Sequence, residues 1–88
     1  MLRISSTVTD QDVCRIELAG NISGLWVTEL AVAVEDRLRR GQHVTLDFGG
    51  VAFVSSDGAA LIRSLRARGI ECVGTSRFVD ELLGRANP

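Results

Sequence analysis

The 88-residue sequence has no lysine, one histidine and two cysteines, and each scarcity excludes a class of chemistry. Without lysine the chain can form neither a Schiff base nor a P-loop phosphate site. The sequence shows no HxxH, CxxC or clustered carboxylate pattern, and Cys14 and Cys72 stand far apart. We therefore expect reduced cysteines, no metal ion, no cofactor and no enzymatic activity.

The sequence also lacks long apolar segments and a large net charge of either sign. The longest apolar run covers residues 30–34, whereas a membrane span needs about 20 residues. Ten basic and eleven acidic residues give a net charge of −1, so bulk attraction to nucleic acid or to an anionic membrane is not expected. No secretory signal pattern is visible. We expect a cytoplasmic protein that neither inserts into membranes nor binds nucleic acid.

Apolar periodicity divides the chain into seven short elements. Their order, β-β-α-β-α-β-α, predicts one α/β domain spanning residues 1–88, with a mixed sheet of about four strands. The first two strands should pair antiparallel, the others should be parallel, and the helices should lie mainly on one face. Strands are predicted at residues 2–8, 13–18, 44–48 and 70–73, and helices at residues 25–40, 55–68 and 76–83, with Gly84 following the last helix as its stop.

Two apolar residues of the first helix fall on its polar side. Leu25 and Val32 share a direction that the predicted core does not explain. We hypothesise that they lie under another chain, either a partner or a second copy in a homodimer. The neighbouring Trp26 can be either a residue at the edge of the core or an anchor for a partner.

A short polar segment follows the apolar residues 51–54. Ser55, Ser56, Asp57 and Gly58 are predicted to lie at the C-terminal edge of a parallel sheet, where a helix begins. Ligands and switches of open α/β sheets lie at that edge. The alternative is purely structural, with Ser55 or Ser56 capping the helix and Asp57 stabilising its first turn.

Residues 44–58 resemble the signature of the STAS domain, the fold of bacterial anti-sigma factor antagonists. That signature is an apolar strand, an Asp, a short apolar link and Asp-Ser-Ser-Gly at the start of a helix. Residues 20–23, Gly-Asn-Ile-Ser, resemble the family's Gly-x-Leu-Asp. The order of the elements matches the family from residue 2 to about residue 85, so the resemblance covers nearly the whole chain.

The resemblance implies a phosphorylation site. In this family a partner kinase, which is also the anti-sigma factor, phosphorylates the serine directly after the motif's Asp, and that serine corresponds to Ser56. Asp47 matches the family's Asp at the end of the central strand, so Asp47, Ser55, Asp57 and Gly58 are expected to be neighbours of Ser56, the switch serine. Ser55 and Asp57 stand where the motif has Asp and Ser, and Ser23 replaces the Asp of Gly-x-Leu-Asp. The acid has therefore moved to the other side of Ser56.

The resemblance also implies a protein that works by binding. The first hypothesis is an anti-sigma factor antagonist that binds an anti-sigma factor with serine kinase activity. The alternative is a cytoplasmic STAS subunit of a phospholipid-transporting ABC system, which holds the transporter ATPase. Small outward side chains let another chain approach a helix closely, so the partner surface is predicted around Ser56, Ala59, Ala60 and Arg63.

Overall fold

The computed structural model describes residues 1–10 and 12–83 and has the predicted order of strands and helices. The helix end predicted at Gly84 lies outside the described residues. The elements are β1 (Leu2–Asp10), β2 (Val13–Ile22), α1 (Leu25–Arg39), β3 (His43–Val54), α2 (Ser56–Ala67), β4 (Glu71–Val73) and α3 (Arg77–Leu82).

The four strands form one sheet in the order β1-β2-β3-β4. Strand β1 pairs antiparallel with β2, whereas β2, β3 and β4 are parallel to one another. This arrangement confirms the predicted mixed sheet and its antiparallel first hairpin.

The helices pack on one face of this sheet, as predicted. Alternation along the central strands sends every second side chain into the core beneath the helices, and the residues between them point to the opposite face. One hydrophobic cluster joins both layers. Its fully buried members include Ile16, Leu46 and Phe48 from the strands, Leu30 and Val34 from α1, Ile62 and Leu65 from α2, and Val79 from α3.

The two central strands extend further than the sequence predicts. Strand β2 continues to Ile22, and the strand predicted at 44–48 joins the apolar residues 51–54 in one strand that ends at Val54. The pairing of β2 with β3 shifts register twice, which absorbs the extra residues of β3 as bulges. Because of this extension, Val54 lies opposite Ile22 where α2 is about to begin.

Candidate functional site

Helix α2 begins at the edge formed by the ends of β2 and β3. The preceding residue, Ser55, has an extended backbone, and its Oγ accepts a hydrogen bond of 3.1 Å from the backbone N–H of Gly58. The N–H of Ser55 donates to the carbonyl oxygen of Ile22 at 2.9 Å. Ser55 therefore caps α2 and anchors the start of the helix to β2, which confirms the capping role predicted for this segment.

Ser56 is the first residue of α2, and it is exposed. Asp57 follows in the first helical turn and is also exposed. The positive end of the helix dipole favours negative groups at this position. The two adjacent serines thus differ in position, because Ser55 is half-buried and holds the helix, while Ser56 faces the solvent.

Gly58 allows the start of α2 to approach β2 closely. A Cβ at this position would lie 2.8 Å from the carbonyl oxygen of Ile22 and 3.1 Å from Cγ1 of Val54. Real Cβ atoms do not approach a backbone oxygen so closely, so glycine is required by packing. The sequence analysis named Ile22 only as part of the motif at residues 20–23, and it did not place this residue against α2, because it ended the second strand at residue 18.

Ala59 is buried, and the prediction that it faces outward is wrong. Its relative exposure is 3%, because α2 turns the face carrying Ala59, Ile62 and Leu65 toward the sheet. Leu61 is half-buried and packs against the hydrophobic core. Ala59 therefore cannot present its side chain to a partner.

Ser56, Ala60 and Arg63 lie on one exposed side of α2, since residues three and four apart are neighbours on a helix. We call these three residues the α2 surface. Arg63 also has a contact within the chain, because its Nη1 donates a hydrogen bond of 2.8 Å to the carbonyl oxygen of Leu82. This bond ties α2 to the last turn of α3.

Asp47 lies within β3 on the sheet face that points away from the helices. Its Oδ2 accepts a hydrogen bond of 2.7 Å from Arg15, and its Oδ1 accepts one of 2.8 Å from the backbone N–H of Gly49. The bond from Gly49, followed by that from Arg15, lowers the pKa of Asp47 below its usual value of 3.8. Asp47 is therefore a charged link between the two central strands.

The structure does not bring Asp47 to the Ser55–Ser56 turn, so the expectation that Asp47 adjoins the switch serine is wrong. Asp47 pairs with Glu17, whereas Val54 pairs with Ile22. These partners are separated by about 17 Å along β2, given a rise of about 3.3 Å per residue. The cause is the extension of β3 beyond Asp47, which the sequence analysis placed near the end of the strand.

Leu25 and Val32 are exposed on α1, with relative exposures of 68% and 57%. Their predicted position off the core is confirmed, whereas the partner or second copy expected on them remains a prediction. Trp26 is half-buried and packs against the hydrophobic core, in agreement with the first alternative, a residue at the edge of the core.

The described residues offer no metal centre. No three His, Cys, Asp or Glu side chains among them are grouped closely enough to hold an ion. None of their helices is long and apolar enough to cross a membrane.

A shallow cavity of about 280 Å³ lies on the sheet face away from the helices, and its lining includes Arg3, Glu17 and Asp47. Neither Ser55 nor Ser56 is among the residues that line this cavity.

Residues 5–87 match the family model described as "Mlab, STAS domain". No curated protein sequence matches the chain. The solved structures that are similar in fold include the following two. The anti-sigma factor antagonist SpoIIAA in its unphosphorylated form is 16% identical, with a TM-score of 0.71 over 92% of this chain and 77% of SpoIIAA.

The second structure is an uncharacterised protein of the DUF3478 family from Shewanella loihica, described as having a SpoIIAA-like fold. It is 12% identical, with a TM-score of 0.59 over 91% of this chain and 72% of that protein. At these identities the likeness to both structures establishes the fold.

Proposed function

Because the chain belongs to the STAS domain family, we propose that it is an anti-sigma factor antagonist that works by binding and has no reaction of its own. It binds an anti-sigma factor that is also a serine kinase, and this frees the sigma factor. Phosphorylation of Ser56 by that kinase ends the binding. The partners and the protein itself are cytoplasmic.

The observation that carries this proposal is the position of Ser56. Its side chain is exposed at the first residue of a helix whose start is fixed by the cap and backbone bonds of Ser55. A kinase can therefore reach the hydroxyl without unfolding the helix. The half-buried Ser55, whose Oγ is engaged with Gly58, is the poorer acceptor.

The phosphoryl transfer adds charge at one end of α2. The Ser56 oxygen bonds to the γ-phosphorus of ATP held by the kinase, the bond to ADP breaks, and the hydroxyl proton is released. The phosphate carries a charge of about −1.5 to −2. The helix dipole favours this charge while Asp57 opposes it, so the fold tolerates the phosphate without a large gain in stability.

The phosphate on Ser56 weakens binding to the partner rather than folding. Solvent screens the phosphate in the free protein, whereas a partner packed on the α2 surface removes that solvent. Like charges and unpaired charges at a desolvated contact cost several kcal/mol. Phosphorylated protein is therefore released, and the antagonist is switched off.

Incubation with the cognate kinase and ATP, followed by mass spectrometry, tests the assignment. We expect phosphate on Ser56 in the wild-type chain and in the Ser55→Ala variant. Ser55→Ala is the matched control, since it should lose about 1 kcal/mol of stability with its cap yet keep its acceptor. Ser56→Ala should bind its partner constitutively. Ser56→Asp should bind at least about 10-fold more weakly, a loss of about 1.4 kcal/mol. Phosphate only on Ser55, or on neither serine with an active kinase, contradicts the proposal.

A second candidate function is the STAS subunit of a phospholipid-transporting ABC system, with the same α2 surface holding the ATPase. Two observations favour keeping it. The matching family model carries the name Mlab rather than that of an anti-sigma factor antagonist. Ser55 also replaces the motif's Asp, so the acid that precedes the acceptor serine in the family is missing.

Co-purification from the native host separates the two functions. An anti-sigma factor kinase that is lost from the Ser56→Asp variant supports the antagonist. A transporter ATPase or permease recovered with the wild-type chain supports the subunit. Ala60→Arg should abolish binding in either case, because it places a long charged side chain on the α2 surface without disturbing the core.

A further inference from the structure

Strand β1 leaves one of its edges open. It is nine residues long and stands at the end of the sheet, and among the described residues it pairs with β2 alone. Natural proteins protect such edges with proline, inward-pointing charges or very short strands. Strand β1 contains no proline, and its two charged residues, Arg3 and Asp10, stand near its two ends. This edge is therefore competent to pair with another strand.

Two hydrogen bonds show which residues of β1 face the open edge. The carbonyl oxygen of Met1 accepts from the N–H of Asn21 at 2.9 Å, so Met1 directs its backbone groups toward β2. The neighbour of Asn21, Ile22, accepts from Ser55 on the opposite side, as the alternation of a strand requires. By the same alternation, Ile4, Ser6 and Val8 direct their N–H and C=O groups outward.

The sequence of β1 is self-complementary about Ser6. If a second β1 runs antiparallel with Ser6 opposite Ser6, then Ile4 lies opposite Val8 of the second copy, and Ser5 lies opposite its Thr7. The first pair is apolar and the second joins two hydroxyls, and both are favourable cross-strand pairs. Val8 is 48% exposed in the single chain, and this pairing covers it.

We propose that the protein forms a homodimer by antiparallel pairing of β1 with β1 of a second copy, about a two-fold axis at Ser6. The Ser6 pair and the two Ile4–Val8 pairs each exchange two backbone hydrogen bonds. The axis is perpendicular to the sheet, so the two sheets join into one of eight strands with all helices on the same face. Such isologous contact closes on itself and stops at a dimer.

This dimer is independent of the proposed partner binding. The α2 helix starts at the end of β3, which lies two strands, or about 10 Å, inward from β1. Both Ser56 residues therefore stay accessible, and one dimer offers two α2 surfaces. Leu25 and Val32, the residues first considered for a homodimer, lie on α1 and are not part of this contact.

Sedimentation equilibrium of the full chain, over a range of concentrations up to about 1 mM, tests the association. Edge pairing buries little area, so we expect a dissociation constant in the micromolar range. Ser6→Pro removes an outward N–H and should weaken the dimer at least about 10-fold while leaving the folded monomer intact. A wild-type chain that stays monomeric throughout, or a Ser6→Pro dimer of unchanged strength, overturns the proposal.

Ser5→Pro is the matched variant for folding. The N–H of Ser5 faces β2, where Ser5 pairs with Glu17, so its loss should lower the melting temperature by at least about 5 °C. Ser6→Pro, measured at a concentration where the chain is monomeric, should not lower it. Equal destabilisation by the two prolines contradicts the assignment of the outward groups.

Disulfide trapping tests the register. Ser5 and Thr7 are exposed, and in the proposed dimer they form a pair whose side chains approach closely. A mixture of Ser5→Cys and Thr7→Cys chains, differently tagged, should give at least about 10-fold more mixed disulfide than Ser5→Cys mixed with Ser64→Cys. Ser64 is exposed on α2 and supplies the control thiol. Equal yields from the two mixtures rule out the Ser6-centred dimer.

Discussion

Arg15 on β2 donates a hydrogen bond of 2.7 Å to Asp47 on β3, and this pair joins the two central strands on the face away from the described helices. The backbone N–H of Gly49 completes the set of donors to the Asp47 carboxylate. Glu17 lies 3.7 Å from the same Arg15, so the guanidinium is shared by two acids. The pair therefore stabilises the sheet and lies apart from the α2 surface.

This arrangement predicts a specific loss of stability in acid. The folded-state pKa of Asp47 is lowered below 3.8 by Gly49 and Arg15, so its contribution is fully present above pH 3.8 and is lost as the pH falls through the lowered value. Asp47→Asn should reduce the free energy of unfolding at pH 7 by about 1 kcal/mol. It should also flatten the dependence of stability on pH below pH 4.

Urea unfolding of both proteins between pH 2 and pH 7 measures this effect. Glu17→Gln is the control, because Glu17 is more exposed and its distance from Arg15 is longer. We expect its effect on stability at pH 7 to be smaller than that of Asp47→Asn. An Asp47→Asn variant with the acid sensitivity of the wild-type protein would show that this ion pair has no role in stability.

The order of the elements and the hairpin were predictable because apolar alternation and helical periodicity are local signals. The ends of the two central strands were not predictable from such local signals. The Gly-Asn step after Ala19 and the pair Gly49-Gly50 look like strand ends, yet β2 and β3 continue through them with bulges. Bulges depend on pairing with a distant strand, so no local pattern in this sequence reveals them.

The surroundings of the Ser55–Ser56 turn were predictable only in part, because some of them depend on local chemistry and others on distant pairing. The cap at Ser55 follows from local chemistry, and the structure shows it. The orientation of Ala59 does not follow from local chemistry, because an alanine adds little to the apolar pattern from which the buried face of a helix is predicted. The distance from Asp47 to the Ser55–Ser56 turn depends on how far β3 extends. Sequence analysis therefore predicted the cap at the start of α2 correctly and misjudged which residues surround it.

Replacement of Gly58 by alanine tests the close approach of α2 to β2. Alanine is the better helix former by about 1 kcal/mol, so an open position would be stabilised. Here the new Cβ would meet the Ile22 carbonyl oxygen at 2.8 Å, and we expect a net destabilisation of about 1–3 kcal/mol. The sign of the change, measured by thermal or urea unfolding, decides between the two effects.

The control for this variant is Ser64→Ala, at an exposed position of the same helix. It gains helix propensity without meeting any backbone and should leave stability unchanged or raise it by up to about 0.5 kcal/mol. If Gly58→Ala is as stable as Ser64→Ala, the start of α2 can move away from Ile22 at no cost, and packing does not require glycine there.

The exposed pair on α1 is the remaining candidate for contact with another chain. Leu25 and Val32 are more than half exposed, so replacing both with glutamate removes little buried apolar area. We expect the melting temperature to change by less than about 3 °C, since glutamate is also favourable at the N-terminal position of Leu25. If a partner covers this side of α1, co-purification of that partner with the double variant should fall.

Thr28→Glu is the control variant, because it adds a negative charge, one where the double variant adds two, at an exposed position of the same helix without removing an apolar side chain. Partner recovery that falls with the Leu25→Glu/Val32→Glu protein and persists with Thr28→Glu assigns the contact to the two apolar residues. Equal recovery with both variants removes this side of α1 from the interface. Unfolding of the double variant would instead show that both residues support the core, contrary to their exposure in the structure.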